Sequence, residues 1–313
     1  MRLDTRQLRH LAAVVQEGTF IRAATVLNTS QPALSKSVRL LEHAIGAKLL
    51  ERGRHGAKPT PYGKALVSRY MRIEAELRAA GRDMEALKGL NQGHLAIGTT
   101  RTVASYLVPT AVAALKAAKP KIDVQIVEDR PAKLVDALRN RRLDVIVGPI
   151  YGDSIGEDIT EEFLFESHLV VVTRPGHPIA RRRHVTLTDL TAYQCVGDDG
   201  DNTVATQIQL LLKANRMVGL ECAIRSNSRE ANKDIIRHSD YFGLFPDLGV
   251  AADVKAGLLR VTKLKATGNA WPFGVRWRRE GAANQVMSAF IQQLKTAAKR
   301  LTNTASKKRS SMA

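Results

Sequence analysis

No stretch of this chain approaches the ~18 consecutive apolar residues of a membrane-spanning helix, and the opening MRLDTRQLRH lacks the apolar core of a signal peptide. The expected compartment is the cytoplasm, with no membrane partner. Cysteine is scarce. Cys195 and Cys222 lie far apart without metal-ligand spacing, so both are expected as reduced structural residues, with a disulfide between them the less favoured alternative. The eight histidines are scattered, no His-Glu-x-x-His run occurs, and the acidic loop Gly197-Asp198-Asp199-Gly200-Asp201 lacks the spacing and terminal Glu of an EF-hand. Gly152-Asp153-Ser154-Ile155-Gly156 has the outline of a nucleophile elbow, but EDITEEF after it has no helical period and no nearby histidine is indicated, so it is expected as a loop. The PGHP turn at His177-Pro178 needs no catalytic role. No catalytic residues, no metal ligands and no cofactor are therefore expected; the chain is not read as an enzyme.

What is present in excess is positive charge. The 313 residues carry a formal net charge of +18, which points to a polyanionic partner or an anionic ligand. Residues 1–92 hold 16 Lys and Arg against 8 Asp and Glu, and residues 93–313 hold 32 against 22, so the excess is denser at the front but not confined to it. A length of this order accommodates two or three domains, and 44% hydrophobic with 25% charged residues is ordinary for a globular protein.

The front end is organised around residues 19–46. Phe20, Ala23, Ala24 and Leu27 fall at i, i+3, i+4 and i+7, and Leu34, Val38, Leu41 and Ile45 repeat the helical period after Asn28-Thr29-Ser30. Two amphipathic helices joined by a polar turn are predicted. The second turns Pro32, Ser35, Lys36, Arg39 and His43 away from its apolar stripe, with Gln31 at its start. A plain helical hairpin satisfies the same spacing; a helix-turn-helix adds a reason for the outward groups, since short polar side chains near the helix start reach base edges and cations hold phosphates. Leu8, Leu11, Ala12 and Val15 predict a helix before the pair, begun at Asp4 or Thr5 and stopped by Gly18.

After Gly46, residues 48–52 suit a short strand, and Arg52-Gly53-Arg54-His55-Gly56-Ala57-Lys58 is a basic, glycine-punctuated loop, either a wing following the phosphate backbone or a solvated surface loop. Thr60 as N-cap and Pro61 at the first helical position then start a long helix. Leu66, Tyr70, Ile73, Leu77, Ala80, Met84 and Leu87 alternate spacings of four and three across three heptads, the seam of a coiled coil between two copies of the chain; a helix lying on its own domain is the alternative.

Helix, helix-turn-helix, basic wing and dimerising helix in this order resemble the N-terminal region of the LysR-type bacterial transcriptional regulators. The residues that carry the resemblance are Ala23-Ala24, Ser30-Gln31-Pro32-Ala33-Leu34-Ser35, Leu41-Glu42, Ile45-Gly46, Leu49-Leu50-Glu51-Arg52 and Thr60-Pro61-Tyr62-Gly63. Leu50 stands where the family usually has Phe, Lys36 where Arg is common, and Tyr62 where a small residue is usual; Lys36 would hold a phosphate as a point charge and not as a fork. The resemblance implies that Gln31, Pro32 and Ser35 approach base edges of double-stranded promoter or operator DNA, with Lys36, Arg39, Arg52 and Arg54 on phosphates. Glutamine can pair with adenine, whereas proline offers only apolar contact such as a thymine methyl.

From Gln92-Gly93 the pattern changes to alternating strands and helices. Strands near 95–98, 123–127 and 144–148 enclose helices near 103–118 and 132–140, a βαβαβ order that implies a parallel sheet covered by helices. A second set follows from Leu169, and WPFGVRW with a helix near 286–299 brings the chain back. Two such lobes resemble the type 2 periplasmic-binding-protein fold, the usual effector module of this family. Ligands in such folds lie at strand C-termini and helix N-termini between lobes. Thr100, Arg101 and Thr102 occupy one such junction, the resemblance placing Thr102 as a ligand-facing hydroxyl where a plain N-cap is the alternative. Arg130-Pro131, Pro149, Asn202-Thr203 and Asn227-Ser228 occupy others. Arg101 and Arg130 suggest an anionic effector; the alternative for each is a solvated surface charge.

The expected fold class is α/β overall: an N-terminal all-α winged helix-turn-helix (1–60), a long dimerisation helix (61–91), and a C-terminal two-lobed α/β periplasmic-binding-protein-like domain (92–301). Lobe 1 takes about 92–166 and 268–301, lobe 2 about 167–267, and 302–313 is expected as a disordered basic tail. The expected function is sequence-specific DNA-binding transcriptional regulation modulated by a small-molecule effector, with a homodimer or homotetramer and RNA polymerase as protein partners. The alternative is an architectural DNA-binding protein whose C-terminal module only assembles subunits.

Overall fold

The structure, a computed structural model, describes residues 3–53, 56–87, 93–150, 156–197, 203–220, 222–279 and 285–310. In chain order the elements are α1 (Thr5–Glu17), α2 (Phe20–Val26), α3 (Gln31–Ile45), β1 (Leu50–Gly53), β2 (Gly56–Pro59), α4 (Pro61–Leu87), β3 (His94–Thr99), α5 (Arg101–Ala104), α6 (Leu107–Ala118), β4 (Asp123–Glu128), α7 (Pro131–Arg139) and β5 (Val145–Pro149). There follow β6 (Ile159–Thr173), β7 (His184–Val185), α8 (Leu187–Leu190), β8 (Cys195–Gly197), α9 (Thr203–Ala214), β9 (Cys222–Arg225), α10 (Arg229–Arg237), β10 (Gly243–Pro246), α11 (Ala251–Lys255), β11 (Arg260–Leu264), β12 (Ala270–Arg278) and α12 (Gln285–Ser310). They form two compact units, one of residues 1–91 with 139–142 and one of residues 92–138 with 143–313.

In the first unit each helix begins and ends where its chemistry requires. Asp4, Thr19 and Ser30 cap α1, α2 and α3 by accepting from backbone N–H groups of the first turn, and Gly18 and Gly46 close α1 and α3 in the left-handed conformation. The predicted apolar stripes meet in one core containing Leu8, Leu11, Ala23, Ala24, Leu34, Val38 and Leu41. β1 and β2 pair antiparallel, Leu50 with Pro59, and form the wing. The Thr60 hydroxyl accepts from Gly63 N at 3.1 Å and donates to the Lys48 carbonyl at 2.8 Å, tying the start of α4 to the wing. A Cβ on Gly63 would overlap the Leu49 carbonyl oxygen, so this first turn of α4 requires glycine.

The second unit is built on an eight-stranded sheet in the order β4-β3-β5-β12-β6-β11-β7, with β10 also on β6. β3 pairs in parallel with β4 and with β5, as the βαβαβ order predicts. Because helices cover both faces, alternate residues are buried on opposite sides: Leu95, Ile97, Val145 and Val147 pack under α6 and α12, while Ala96 and Ile146 pack with Leu134 and Leu138 of α7. β12 runs antiparallel to both β5 and β6, so the sheet is mixed and not wholly parallel. The 15-residue β6 pairs with β12 from Ile159 to His168 and with β10 and β11 from Leu169 onward. That change of partners divides a lobe 1 from a lobe 2 within this unit.

Three details depart from the sequence expectations. The predicted helix at 103–118 is broken at Ser105-Tyr106 into α5 and α6. Helix α12 continues to Ser310, so residues 302–310, expected as a disordered tail, are helical. Cys195 and Cys222, expected as reduced, form a disulfide; β8 and β9 are parallel neighbours with these residues in register, which places their Cα atoms 4.6 Å apart.

Candidate DNA interface and ligand cleft

The N-terminal turn of α3 presents Gln31 and Pro32 exposed, followed by exposed Lys36 and Arg39 on the same side. Ser30 caps this turn by accepting from Ala33 N at 3.3 Å. Ser35 departs from the expectation: it is 3% exposed, not turned outward. Its hydroxyl accepts from Arg39 Nη2 at 3.2 Å and from Arg52 Nη1 at 3.3 Å, because β1 crosses close to α3 at this position. Ser35 thus holds two guanidinium groups in place, and a base contact from its own side chain is not supported by this burial.

Arg52 is fixed from two further sides. Its guanidinium stacks over the Phe20 ring at 4.8 Å and lies 3.8 Å from Glu42 Oε2. Glu42 is 6% exposed, and its Oε1 accepts from Leu49 N at 2.9 Å and Leu50 N at 3.3 Å. One buried carboxylate on α3 therefore organises the entry into the wing. The predicted wing cation Arg54 lies outside the described residues. His10 of α1 hydrogen-bonds through Nδ1 to the Ser37 hydroxyl at 2.7 Å, and burial, with Arg6 and Arg9 nearby, lowers its pKa below the ordinary 6.5.

The seam of α4 divides along its length. Leu66 and Tyr70 pack into the core of their own unit, as does Met71 nearby, so the first part of the predicted coiled-coil seam serves that core. The Tyr70 hydroxyl donates to Glu74 at 3.0 Å, and burial pushes its pKa up to about 12. Further along, Ile73 is 44% exposed, Leu77 65% and Met84 53%, and Ala80 is exposed. The Leu87 side chain lies outside the described residues.

The second unit contains a cleft of about 300 Å³ between its lobes. One wall is the junction of β3 with α5 and of β4 with α7: Thr100, Arg101, Thr102, Glu128, Asp129 and Arg130. The other is lobe 2, where Val196, Gly197, Val204, Ile208, Leu244, Phe245 and Pro246 make an apolar face and Asn227, Arg229 and Asn232 a polar edge. Thr100, Arg101, Thr102, Arg130 and Asn227 are therefore brought together around one cleft. Pro131 begins α7, Pro149 is buried at the end of β5 opposite Phe273, and Ser228 caps α10 through Ala231 N; none of the three lines the cleft. Asn202 and the Thr203 side chain lie outside the described residues.

Arg101, its side chain 41% exposed, is already engaged by protein groups. Its Nε donates to Glu128 at 3.3 Å and its Nη1 to the Asn227 carbonyl at 2.8 Å, across the cleft. Arg229 Nη1 returns the crossing, donating to the Arg101 carbonyl at 3.0 Å and the Ser105 hydroxyl at 3.2 Å. Two arginines from opposite lobes thus clasp each other's backbone surroundings, and the break of the helix at Ser105 exposes the carbonyl and hydroxyl they need. Sequence reasoning missed Arg229, Asn232 and the whole apolar wall. Asn232 carried a signal, a polar residue at a core-facing helix position; the apolar residues carried none that separates them from ordinary core.

Elsewhere, the nucleophile-elbow outline has no structural support: residues 151–155 lie outside the described residues and the chain continues as strand β6, not as a helix. His177 is fully buried, its Nδ1 accepting from Ile179 N and its Nε2 donating to the Asp240 carbonyl, so it is a satisfied turn residue. Among the described residues no cluster of His, Cys, Asp and Glu could hold a metal ion, and no helix is long and apolar enough to cross a membrane.

Comparison with known proteins gives two family matches: residues 5–64 match the bacterial regulatory helix-turn-helix protein, lysR family, and residues 88–299 the LysR substrate binding domain. An SDS degradation transcriptional activation protein from a Pseudomonas species is 32% identical over 263 residues, covering 83% of this chain and 85% of that one. The transcriptional regulator PcaQ of Agrobacterium fabrum is 26% identical over 297 residues, covering 95% and 96%. Among solved structures, full-length CbnR complexed with its target DNA superposes with a TM-score of 0.66 at 19% identity, covering 94% of this chain and 100% of that one. Full-length OxyR from Pseudomonas aeruginosa does so with a TM-score of 0.65 at 22% identity, covering 96% and 95%. These two likenesses establish the shared fold.

Proposed function

This chain belongs to the LysR family of bacterial transcriptional regulators, and from that membership we propose that the start of α3 selects DNA bases while the cleft of the second unit holds the effector that modulates the response. The protein is a DNA-binding transcriptional regulator with an effector-binding α/β domain. In the proposed division of labour Gln31 and Pro32 face base edges, Lys36, Arg39, Arg52 and Arg54 hold phosphates, and Ser35 positions Arg39 and Arg52. The exposure of Gln31 and Pro32 at a capped helix N-terminus supports the first part, and the Ser35 hydrogen bonds the last.

Residues 1–60 are taken as the DNA-binding domain, 61–91 as the dimerisation helix and 92–301 as the effector domain. Ile73, Leu77, Ala80 and Met84 supply the pairing surface of a homodimer or higher oligomer, supported by their exposure on a helix whose neighbouring apolar positions are buried. Binding of the effector changes lobe closure, hence the subunit arrangement and the bend imposed on DNA, and at a promoter the outcome passes to RNA polymerase. The protein acts in the cytoplasm and catalyses no reaction. The proposed effector is a small organic anion: three arginines line the cleft against Glu128 and Asp129, leaving its lining net positive.

The single observation that carries this reading is the cleft itself, a concave site where the polar end of one lobe meets an apolar wall of the other. The test is footprinting of the full chain on its operator with and without a panel of organic anions, alongside thermal melting. A change of footprint length with a raised melting temperature is expected. Neutral sugars raising the melting temperature while anions leave it unchanged would overturn the anionic assignment. Indifference of footprint to every small molecule would favour an architectural role.

A further inference from the structure

The lining of the cleft specifies more than charge. Asn232, on α10, is 4% exposed, and its Nδ2 donates to the Ser226 carbonyl at 3.1 Å. That bond fixes the amide orientation, because a backbone carbonyl accepts only from the nitrogen side. Its Oδ1 is then a buried acceptor with no protein partner. Across the cleft, Thr100 is 4% exposed, and its Oγ1 is buried with no protein partner either, although the residue occupies the N-cap position of α5. Native interiors leave such atoms unmatched only where something else matches them. Neither atom is met by the hydrogen bonds that two cleft arginines make: Arg101 donates to Glu128 and the Asn227 carbonyl, and Arg229 Nη1 to the Arg101 carbonyl and Ser105.

A carboxylate has acceptors only, so it cannot satisfy Asn232 Oδ1. A neutral O–H or N–H can. The same cleft is lined by the wall of Val196, Val204, Ile208, Leu244 and Phe245, which no purely polyhydroxylic ligand would use. We propose that the effector is a small amphiphilic acid, an aliphatic or aromatic body seated on lobe 2, bearing a hydroxyl or N–H group that donates to Asn232 Oδ1 and exchanges a hydrogen bond with Thr100 Oγ1. The inference rests on the cleft being the effector site and adds the chemical class. The volume of about 300 Å³ holds the effector to a compact molecule, at the lower end for small-ligand pockets.

The test is calorimetric titration of the full-length chain with matched acids: benzoate against its three monohydroxy derivatives, hexanoate against 2- and 6-hydroxyhexanoate, and glucuronate as the polar control. At least one hydroxylated acid is expected to bind tenfold or more tightly than its parent, since a site built to receive a donor rejects the analogue without one. Asn232→Leu should bring that ratio near one. Thr100→Val supplies a check without any ligand: its hydroxyl has no protein partner to lose, so the ligand-free melting temperature should stay level or rise. Parent acids binding as well as every hydroxylated one, glucuronate binding best, or a fall in melting temperature in Thr100→Val each overturns the proposal. So does a panel in which nothing binds. In that last case a small-molecule cell extract decides the wider question: if it alters the DNA footprint, only the ligand class was wrong, and if it does not, the effector reading falls with it.

Discussion

Glu42 offers the sharpest perturbation of the DNA-binding unit. Replacing it by alanine removes the acceptor of Leu49 N and Leu50 N, at residues 0% and 3% exposed, so water cannot substitute. An unsatisfied buried N–H costs about 1–3 kcal/mol; with the longer Leu50 bond weighted lightly, the two together cost about 3 kcal/mol. Loss of the ion pairs adds little, since they span 3.8 and 3.9 Å to side chains 41% and 81% exposed, and such pairs contribute about 0–1 kcal/mol. Glu42→Gln keeps an acceptor oxygen for the two N–H groups and exchanges the charged Oε2, which has no hydrogen-bond partner, for an amide NH2, so a smaller loss than for alanine is expected. In a unit of this size 3 kcal/mol corresponds to a fall in Tm of roughly 12–24 °C. The assay is far-UV circular dichroism together with amide exchange at Leu49 and Leu50. Tryptophan fluorescence is an internal control, because Trp271 and Trp277, the two tryptophans of the chain, both lie on β12 in the other unit. Equal shifts for the alanine and glutamine variants would refute the acceptor argument, as would a fluorescence transition displaced as far as the helical one.

The partner expectation for α4 makes two positions behave differently: Leu77→Glu should shift the oligomer toward monomer in sedimentation without unfolding it, while Tyr70→Ala should lower stability, and a folded monomer from Tyr70→Ala would contradict the division of the seam. Burial, with Arg6 and Arg9 nearby, puts the folded pKa of His10 below its unfolded one, so the unfolded chain binds the extra proton. Stability of the first unit should therefore fall as pH drops below about 6.5, and His10→Gln should flatten that dependence; a stability that rises on acidification in the wild type alone would reverse the sign. Reducing the Cys195–Cys222 disulfide opens a loop of sequence separation 27 and should cost lobe 2 about 3.5 kcal/mol by loop entropy, read as a lower denaturation midpoint in reductant that Cys195→Ser reproduces and reductant no longer changes.

Much of the first unit was legible because its signals are local. Apolar spacing, the start at Asp4 and the Thr60-Pro61 start each act within a turn or two of the residue that carries them. Ser35 was misplaced for the opposite reason: its surroundings are set by Arg52 on β1, and a helical wheel contains no second element. The same holds for Leu66 and Tyr70, whose spacing fits a coiled coil equally well whether the partner is another chain or α1. In the second unit β3, β4 and β5 were legible as strands alternating with helices, β3 and β5 being buried and β4 an exposed edge. The first half of β6 was not, because its stability comes from β12, about a hundred residues away, and not from its own apolar content. The cysteine pairing likewise depends on β8 and β9 becoming neighbours. As for the cleft, hydroxyl and arginine residues at strand ends were found, whereas Leu244 and Phe245 on β10 look identical to core residues until the fold leaves one side of them open.

Base discrimination by Gln31 is the central feature of the proposed DNA reading. Full-length wild-type and Gln31→Ala proteins should be titrated onto the operator duplex and a random duplex at several salt concentrations. The account predicts a loss of about 1–3 kcal/mol confined to the operator, with an unchanged salt slope, whereas Lys36→Ala should weaken both duplexes and reduce the slope by about one. Equal losses on operator and random DNA for Gln31→Ala would contradict it.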